Sequence, residues 1–143
     1  MRPEIIIGDY QTLQKECNVI RHLIFVMEQN VPHDLELDDR DPICTHLLLK
    51  LNNQYIATGR IDLEKQGKIG RIAVLPSFRN NGYGQTVLYN LELIAKQNNL
   101  SFVWLNAQKQ TINFYQKSGY NITGNEFLEA NIIHQKMIKS FSC

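Results

Sequence analysis

Residues 70–88 constrain the possible folds of this chain more than any other segment. An apolar run typical of a strand, Arg71–Leu75, ends at Pro76, and a short polar loop containing Gly82 and Gly84 then leads directly into a helix with regular apolar spacing. The first turn of such a helix has backbone N–H groups without partners, and the helix dipole makes them attractive to anions. The segment therefore predicts an anion site where a strand gives way to a helix.

Four interpretations of the glycine loop compete. A P-loop needs a lysine directly after its last glycine, whereas Gln85 follows Gly84. A dinucleotide fingerprint needs a third glycine, where this chain has Val87, and an acidic residue after the next strand, where it has Asn106. A strand-to-helix turn that tolerates glycine is the plain alternative, and a phosphate site with Arg79 as an added cationic contact is the functional one.

Hydrophobic periodicity predicts the remaining elements. We predict strands at Glu4–Ile7, His46–Leu51, Tyr55–Leu63, Lys68–Leu75, Phe102–Leu105 and Asn131–Lys139, and helices at Thr12–Glu28, from about Val87 to Asn98, and at Gln110–Lys117, the last with Gly119 as its left-handed stop. The apolar stripe of the first helix is Leu13, Cys17, Ile20, Ile24 and Met27. Together the elements predict one α/β domain, 1–143, whose mixed sheet is antiparallel in its N-terminal half and has a parallel β-α-β crossover in its C-terminal half.

Charge and cysteine usage exclude several classes of protein. With 15 basic and 14 acidic residues, the formal net charge of +1 gives no general attraction to nucleic acid or to an anionic membrane. Cys17, Cys44 and Cys143 form no C-x-x-C pair, which argues against a disulfide framework and a zinc site. No apolar signal core follows Met1 and no run is long enough to span a bilayer, so we expect a cytoplasmic protein without a metal.

Two motifs, in this order, resemble the Gcn5-related N-acetyltransferase (GNAT) superfamily. Arg79–Gly84 has the R-x-x-G-x-G pattern of the acyl-CoA-binding loop, and Phe114–Tyr120 is similar to the family's F-Y-x-x-x-G-[FY] segment. The order of helices and strands is similar over nearly the whole chain, and residues 25–32 and 105–108 resemble the ElaA-type branch. The resemblance implies an enzyme that uses acetyl-CoA, with coenzyme A as the product, and an amine acceptor that is a small molecule or a peptide.

The resemblance also implies which residues contact the cofactor. The backbone of Ile72, Ala73 and Val74 would pair with the pantetheine arm as an added strand would. The pyrophosphate would be held by the N–H groups of the loop residues Arg79, Asn80, Asn81, Gly82, Tyr83, Gly84 and Gln85. Gln108 stands where many relatives have a cofactor-contacting asparagine, and Thr111 stands where they usually have alanine.

Three side chains are candidates for proton transfer. Tyr115 matches the family tyrosine that often protonates the departing thiolate, although aromatic residues at such positions also pack a short helix against a sheet. Glu28 is the first candidate for the base that deprotonates the amine, and its alternative is a solvated glutamate at a helix end. His134 is the second candidate base, and its alternative is a hydrogen-bonded or surface histidine.

The expected reaction is direct attack of the amine in a ternary complex, because no G-x-S-x-G or catalytic Cys-His pattern suggests a covalent intermediate. The alternative function is a non-catalytic acyl-CoA-binding module of the same fold. A homodimer is the one protein assembly that we keep open.

The acidic run 34–41 lies in a polar stretch, 29–45, which we expect to be mostly loop. The run lacks the glycine and terminal glutamate of an EF-hand, which excludes that calcium loop. Its plain interpretation is a solvated loop. Its functional alternative is an acidic lip that attracts a cationic acceptor.

Overall fold

Eight strands and four α-helices form the computed structural model, which describes residues 2–141. The strands are β1 Glu4–Gly8, β2 Thr45–Leu51, β3 Gln54–Asp62, β4 Lys68–Val74, β5 Phe102–Gln108, β6 Asn121–Ile122, β7 Phe127–Glu129 and β8 Ile132–Ser140. The helices are α1 Tyr10–Arg21, α2 His33–Glu36, α3 Tyr83–Gln97 and α4 Ile112–Lys117. Cys17 and Cys44 are free and buried, and Cys143 lies outside the described residues.

The sheet has the strand order β1-β2-β3-β4-β5-β8-β6, and β7 also pairs with β8. Strands β1 to β4 are antiparallel neighbours, β4 and β5 are parallel, and β8 is antiparallel to β5. The helix α3 forms the crossover between the two parallel strands. The predicted fold class, an antiparallel first half followed by a parallel crossover, is confirmed.

The two long helices lie on opposite faces of this sheet, and the alternation of side chains along β2 shows how. Leu47 and Leu49 pack in the cluster that holds α3, whereas Leu48 between them packs in the cluster that holds α1. All three leucines are fully buried. Because burial of a leucine side chain contributes about 1.5–3 kcal/mol, these side chains stabilise the packing of one helix against each face of the sheet.

The first helix differs from its prediction at both ends. The Asp9 side chain caps α1 by accepting from the Thr12 N–H at 2.9 Å, so the helix begins at Tyr10. From His22 to Glu28 the chain continues as a π-helix, which contains one more residue per turn of hydrogen bonding. The wider turn rotates Met27 out of the predicted apolar stripe, and Met27 is 65% exposed.

A parallel pair that opens along its length creates the main cleft of the fold. Strands β4 and β5 pair in register only at Lys68 and Trp104, near the start of β4. Further along, Arg71 and Ile72 together face Gly59 of β3, because the register shifts there and Arg71 adopts a φ of 55°. A bulge of this kind bends its strand, and here the bend lies where β4 and β5 separate.

Three shorter segments complete the comparison with the sequence. Gly119 has a φ of 97°, which confirms the predicted left-handed stop after α4. The short strands β6 and β7 have no counterpart in the sequence prediction.

Within residues 2–141, no helix combines the length and the apolar character needed to cross a bilayer.

Candidate active site

The separation of β4 from β5 opens a cleft of about 410 Å³. Its walls include Ile69–Ile72 of β4 and Asn106 of β5, and the end of the π-helix and the segment around α2 close it from one side. The predicted site residues Gln108, Tyr115 and His134 line this cleft together with Ile72. Glu28 and the glycine loop lie outside the cleft lining.

The second edge of β4 is available to a ligand beyond the bulge. Ala73 and Val74 pair with Thr58 and Ala57 of β3 on one side, while no residue of β5 pairs with them on the other. An unpaired strand edge presents N–H and C=O groups at regular spacing, which an amide-bearing chain can match.

The glycine loop forms a concave end to the same strand. No backbone N–H from Asn80 to Gln85 donates to an acceptor within the described residues, and the first bond of the helix runs from the Thr86 N–H to the Gly82 carbonyl at 3.1 Å. Asn80 and Gly82 both have positive φ, of 66° and 80°. A Cβ atom added at Gly82 would meet nothing within 4 Å. These free donors at a helix N-terminus, beside open space, can hold a phosphate group.

The second glycine of the loop has a different neighbour. A Cβ atom at Gly84 would lie 3.4 Å from the ring of Phe114, the first aromatic residue of the F-Y pair. Gly84 therefore lets α4 approach α3 closely. The two loop glycines differ in environment: Gly82 borders open space and Gly84 borders an aromatic ring.

Arg79 and Glu28 bind each other through a two-point ion pair. The Arg79 guanidinium donates to both Glu28 carboxylate oxygens at 2.8 and 2.7 Å, and its Nε donates to the Val74 carbonyl at 3.0 Å. The Arg79 hydrogen bond holds the pKa of Glu28 below its usual range. Both properties disfavour Glu28 as a base, because its carboxylate is occupied and is a weaker proton acceptor than a free glutamate.

Gln108 takes part in a row of three amides. Its Nε2 donates to Gln29 Oε1 at 2.7 Å, and its Oε1 accepts from Gln110 Nε2 at 2.7 Å. The row joins the end of β5 to the end of the π-helix across the cleft. Gln29 was not singled out in the sequence, because nothing near it in the chain indicates a partner 79 residues away.

Tyr115 lines the cleft with a hydroxyl that has no hydrogen-bond partner within the described residues. Its ring makes edge-to-face contacts with Phe114 and Tyr120, at centroid distances of 5.0 and 5.7 Å. Burial raises the pKa of Tyr115 to about 12. The phenol therefore keeps its proton at neutral pH, and its hydroxyl can donate a hydrogen bond to a group in the cleft.

His134 is buried in the wall of the cleft and is held by its backbone neighbour. Its Nδ1 lies 2.7 Å from the Ile132 carbonyl oxygen. A carbonyl can only accept, so Nδ1 carries the proton and Nε2 carries the lone pair of the neutral ring. Nε2 lies 3.6 Å from a Glu129 carboxylate oxygen.

A network of arginines and carboxylates lies beside the cleft, on the α1 face of the sheet. Arg21 is 1% exposed, and its guanidinium donates to Glu36 and to Asp41 at 2.8 Å each. The same Asp41 accepts from Arg60, whose guanidinium also binds Asp38 at 2.7–2.8 Å. The network therefore ties α1 and β3 to the acidic run.

Arg71, the residue at the bulge, completes this network. Its guanidinium donates to the Glu36 carboxylate at 3.1 Å and to Asp38 at 3.3 Å. Burial acts to raise the pKa of Asp38, but the hydrogen bonds and charges of Arg60 and Arg71 lower it well below its usual range. The expectation of a solvated acidic loop is wrong for residues 36, 38 and 41, since all three are paired with arginines. The alternative of an acidic lip keeps exposed carboxylates only at Asp34 and Asp39.

No three His, Cys, Asp or Glu side chains within the described part of the chain are arranged to hold a metal ion. Three acids of the run 34–41, namely Glu36, Asp38 and Asp41, bind guanidinium groups instead of clustering around a common point.

Comparison with known proteins adds an independent result. A sequence model of the family described as "Acetyltransferase (GNAT) domain" matches residues 34–141. Bacillus subtilis (strain 168) YyaT is 37% identical over 131 residues, which cover 89% of this chain and 88% of that protein. The same organism's YjcF, named an uncharacterized N-acetyltransferase, is 35% identical over 136 residues, covering 94% and 97%.

Solved structures with the same fold are also similar over nearly their full length. Escherichia coli ElaA matches with a TM-score of 0.86 at 23% identity, covering 96% of this chain and 99% of that chain. The PaiA N-acetyltransferase of Thermoplasma acidophilum, solved in complex with coenzyme A, matches with a TM-score of 0.73 at 15% identity, covering 99% and 100%.

Proposed function

Since the chain belongs to the GNAT acetyltransferase family, we propose that it transfers an acetyl group from acetyl-CoA to the amine of a small molecule or peptide. The observation that carries the proposal is the alignment of three features along one strand. These are the unpaired edge of β4 at Ile72–Val74, the free N–H groups from Asn80 to Gln85, and a cleft lined by Tyr115.

Acetyl-CoA enters this proposal as the acyl donor. The β4 edge would bind the pantetheine amides, and the loop N–H groups would bind the pyrophosphate. Open space around Gly82 supports this fit, because a side chain there would occupy the volume that the phosphates need. Arg79 would supply positive charge at the edge of the loop.

The chemical step needs one group that accepts a proton and one that donates it. The amine nitrogen forms a bond to the acetyl carbon as the carbon–sulfur bond breaks, in one ternary complex. His134 Nε2, directly or through a water, would take the proton from the amine, and Tyr115 would give its proton to the departing sulfur. Glu28 would hold Arg79 in position beside the loop.

Release of free thiol from acetyl-CoA, measured against a panel of amines, tests this function. We expect amine-dependent thiol release in the wild type, reduced roughly 10- to 10³-fold in kcat by Tyr115→Phe, with the Kd for coenzyme A unchanged within about twofold. The matched control is Tyr89→Phe, because Tyr89 lies on α3 with 58% exposure and away from the cleft.

Two outcomes would contradict the proposal in different ways. If coenzyme A raises the melting temperature while no amine produces thiol, the non-catalytic acyl-CoA-binding module replaces the enzyme. If neither coenzyme A nor acetyl-CoA changes the melting temperature at millimolar concentration, the cofactor assignment itself fails. Full activity in Tyr115→Phe would leave that residue with a packing role only.

A further inference from the structure

The N-terminal end of the cleft contains two lysines that form no ion pair with the carboxylates around them. Of the four acids that line the cleft, Glu36, Asp38 and Asp62 each bind at least one arginine, and Glu129 lies 3.6 Å from His134. Two lysines, Lys65 and Lys68, line the same end. Among the described residues, neither lysine has a carboxylate oxygen within 4.0 Å.

Lys68 is the more informative of the two lysines because it is half-buried and opens β4. Its ammonium lies over the ring of Trp104 at 5.2 Å from the centroid, and Lys136 approaches the same ring at 4.6 Å. A cation with only an aromatic face as partner retains most of its ability to bind an anion.

One carboxylate, Glu129, and three cations act on the charge of Lys68. Burial lowers the pKa of Lys68, and the charges of Arg60, Arg71 and Lys65 lower it further, opposed by Glu129. An anion placed here would relieve both effects at once, because it would replace lost solvation and offset the neighbouring cations. A cationic ligand would increase the repulsion.

The phosphates of coenzyme A would lie too far away to be this anion. Strand β4 runs from Lys68 to Val74, a distance of about 20 Å at about 3.3 Å per residue, and the glycine loop lies beyond its far end. Ile72, where the pantetheine arm would pair, is about 13 Å from Lys68 by the same rise. The space between them suits a short acceptor molecule.

We propose that the acceptor is an amine that carries a carboxylate or phosphate at its other end, with Lys68 as the residue that binds this anionic group. The inference rests on the proposed function, because it takes the amine end to lie near Tyr115. It replaces the cationic acceptor that the acidic run alone suggested.

Calorimetric titration in the presence of coenzyme A tests the inference without requiring turnover. The ligands are 6-aminohexanoate, 6-aminohexyl phosphate, 6-aminohexanamide and 1,6-diaminohexane, which differ mainly in the charge of one end. We expect one of the two anionic ligands to bind roughly tenfold or more tightly than the amide, because a partly desolvated ion pair contributes more than a neutral contact. The comparison of the two anionic ligands distinguishes a carboxylate from a phosphate.

Variants at position 68 assign the effect to one side chain. Lys68→Met should remove the preference for the anionic ligand while keeping the aliphatic packing, and Lys68→Arg should retain most of it. Lys96→Met is the control, because Lys96 is an exposed residue of α3 on the other side of the sheet. A retained thermal shift with coenzyme A shows that each variant is folded.

Several results would overturn the inference and leave the acetyltransferase function standing. Binding of the diamine or the amide as tightly as the anionic ligands would do so, as would no binding of any of the four at about 10 mM. A Lys68-dependent preference for succinyl-CoA over acetyl-CoA would assign the anion to the donor instead. By contrast, a preference for anionic amines without thiol release would support the inference and count against the proposed catalysis.

Discussion

The two ends of β4 build their sites from different parts of the chain. At the C-terminal end, the proposed anion site consists of backbone N–H groups within one short loop, Asn80 to Gln85. At the N-terminal end, the walls consist of side chains from positions as far apart as Glu36, Arg60 and Lys68. The first site can be recognised from a local pattern, while the second exists only after the chain has folded.

This difference determines which substitutions each site will tolerate. A backbone site depends on conformation and empty space, so it is disrupted by whatever fills the space. A buried ionic network depends on complete pairing, because each charge has lost its water and removal of one partner leaves another unpaired. Four predictions test this contrast, beginning with the largest effect.

Arg21→Ala should lower the free energy of unfolding by about 3–5 kcal/mol, because it removes the buried cation that Glu36 and Asp41 share and leaves each acid with one arginine instead of two. Urea unfolding at neutral pH measures the loss. Lys15→Ala is the control on the same helix, and it should change stability by less than about 0.5 kcal/mol because Lys15 is exposed.

The same variant separates the two ends of β4. Where Arg21→Ala folds, its affinity for coenzyme A should stay within about twofold of the wild type, since the glycine loop is remote from the network. If the alanine variant does not fold, Arg21→Lys keeps the charge and can be used for this comparison. A stability loss below 1 kcal/mol would contradict the view that the network depends on complete pairing.

Gly82→Glu should weaken coenzyme A binding by roughly a hundredfold or more, because the new carboxylate would fill and charge the open space at the loop. The thermal shift with coenzyme A measures the loss. Gly124→Glu is a matched control, since Gly124 also has a positive φ, of 77°, and open space around it. Both variants should lose similar stability from backbone strain, about 1 kcal/mol, and only the first should lose the ligand.

Acid should destabilise the N-terminal end of β4 first. Burial acts to raise the pKa of Asp41 as well as that of Asp38, but the arginines hold both below the usual 3.8. Groups with lowered pKa stabilise the fold above about pH 4, and this stabilisation is lost as the pH falls through their folded values. Burial also lowers the pKa of His46 below its usual 6.5, so a first, smaller loss begins near that pH.

Urea unfolding from pH 7 to pH 3 measures this dependence. Asp38→Asn should flatten the acidic part of the curve, because asparagine has no carboxylate that acid could protonate and so no charge paired with Arg60 to lose. Asp34→Asn and Asp39→Asn are controls from the same acidic run, since both side chains are exposed and should keep the wild-type dependence. Equal curves for all three variants would show that pairing in the run is without consequence.

Glu28→Gln should produce the smallest effect, and it should strengthen coenzyme A binding at the glycine loop, whereas Gly82→Glu weakens it. It removes a negative charge beside the loop and frees Arg79, so coenzyme A should bind up to about fivefold more tightly, in keeping with an exposed ion pair. Glu64→Gln is the control, because Glu64 also pairs with an arginine but lies far from the loop. A collapse of turnover with unchanged affinity would return Glu28 to the role of base.

The order of strands and the position of the glycine loop were predictable because both follow from local patterns. Pro76, Gly82 and the apolar spacing of α3 lie within one stretch of sequence and act through near neighbours. The π-helix was not predictable, because Ile24 and Met27 both follow the apolar spacing of an α-helix. In the folded chain Ile24 is buried as that spacing predicts, whereas the π-helix turns Met27 out to solvent.

The pairing in the acidic run could not be read from the sequence for a similar reason. Residues 34–41 are strongly polar, and polarity alone indicates solvent. Their partners Arg21, Arg60 and Arg71 lie on three different elements, and α1 and the sheet must pack before those guanidinium groups meet the acids. A hint was present in Arg21, which stands next to Ile20 and one turn after Cys17 and is buried together with these stripe residues.

Trp104 gives the protein a built-in optical reporter. It is the only tryptophan in the chain, its indole Nε1 donates to the Lys65 carbonyl at 2.8 Å, and the Lys68 ammonium lies 5.2 Å from its ring centroid. Indole fluorescence changes in colour and intensity when a nearby charge moves or is neutralised. A ligand that draws Lys68 away from the ring would therefore change the emission spectrum of Trp104. Binding at this end of β4 can be followed in this way without a label.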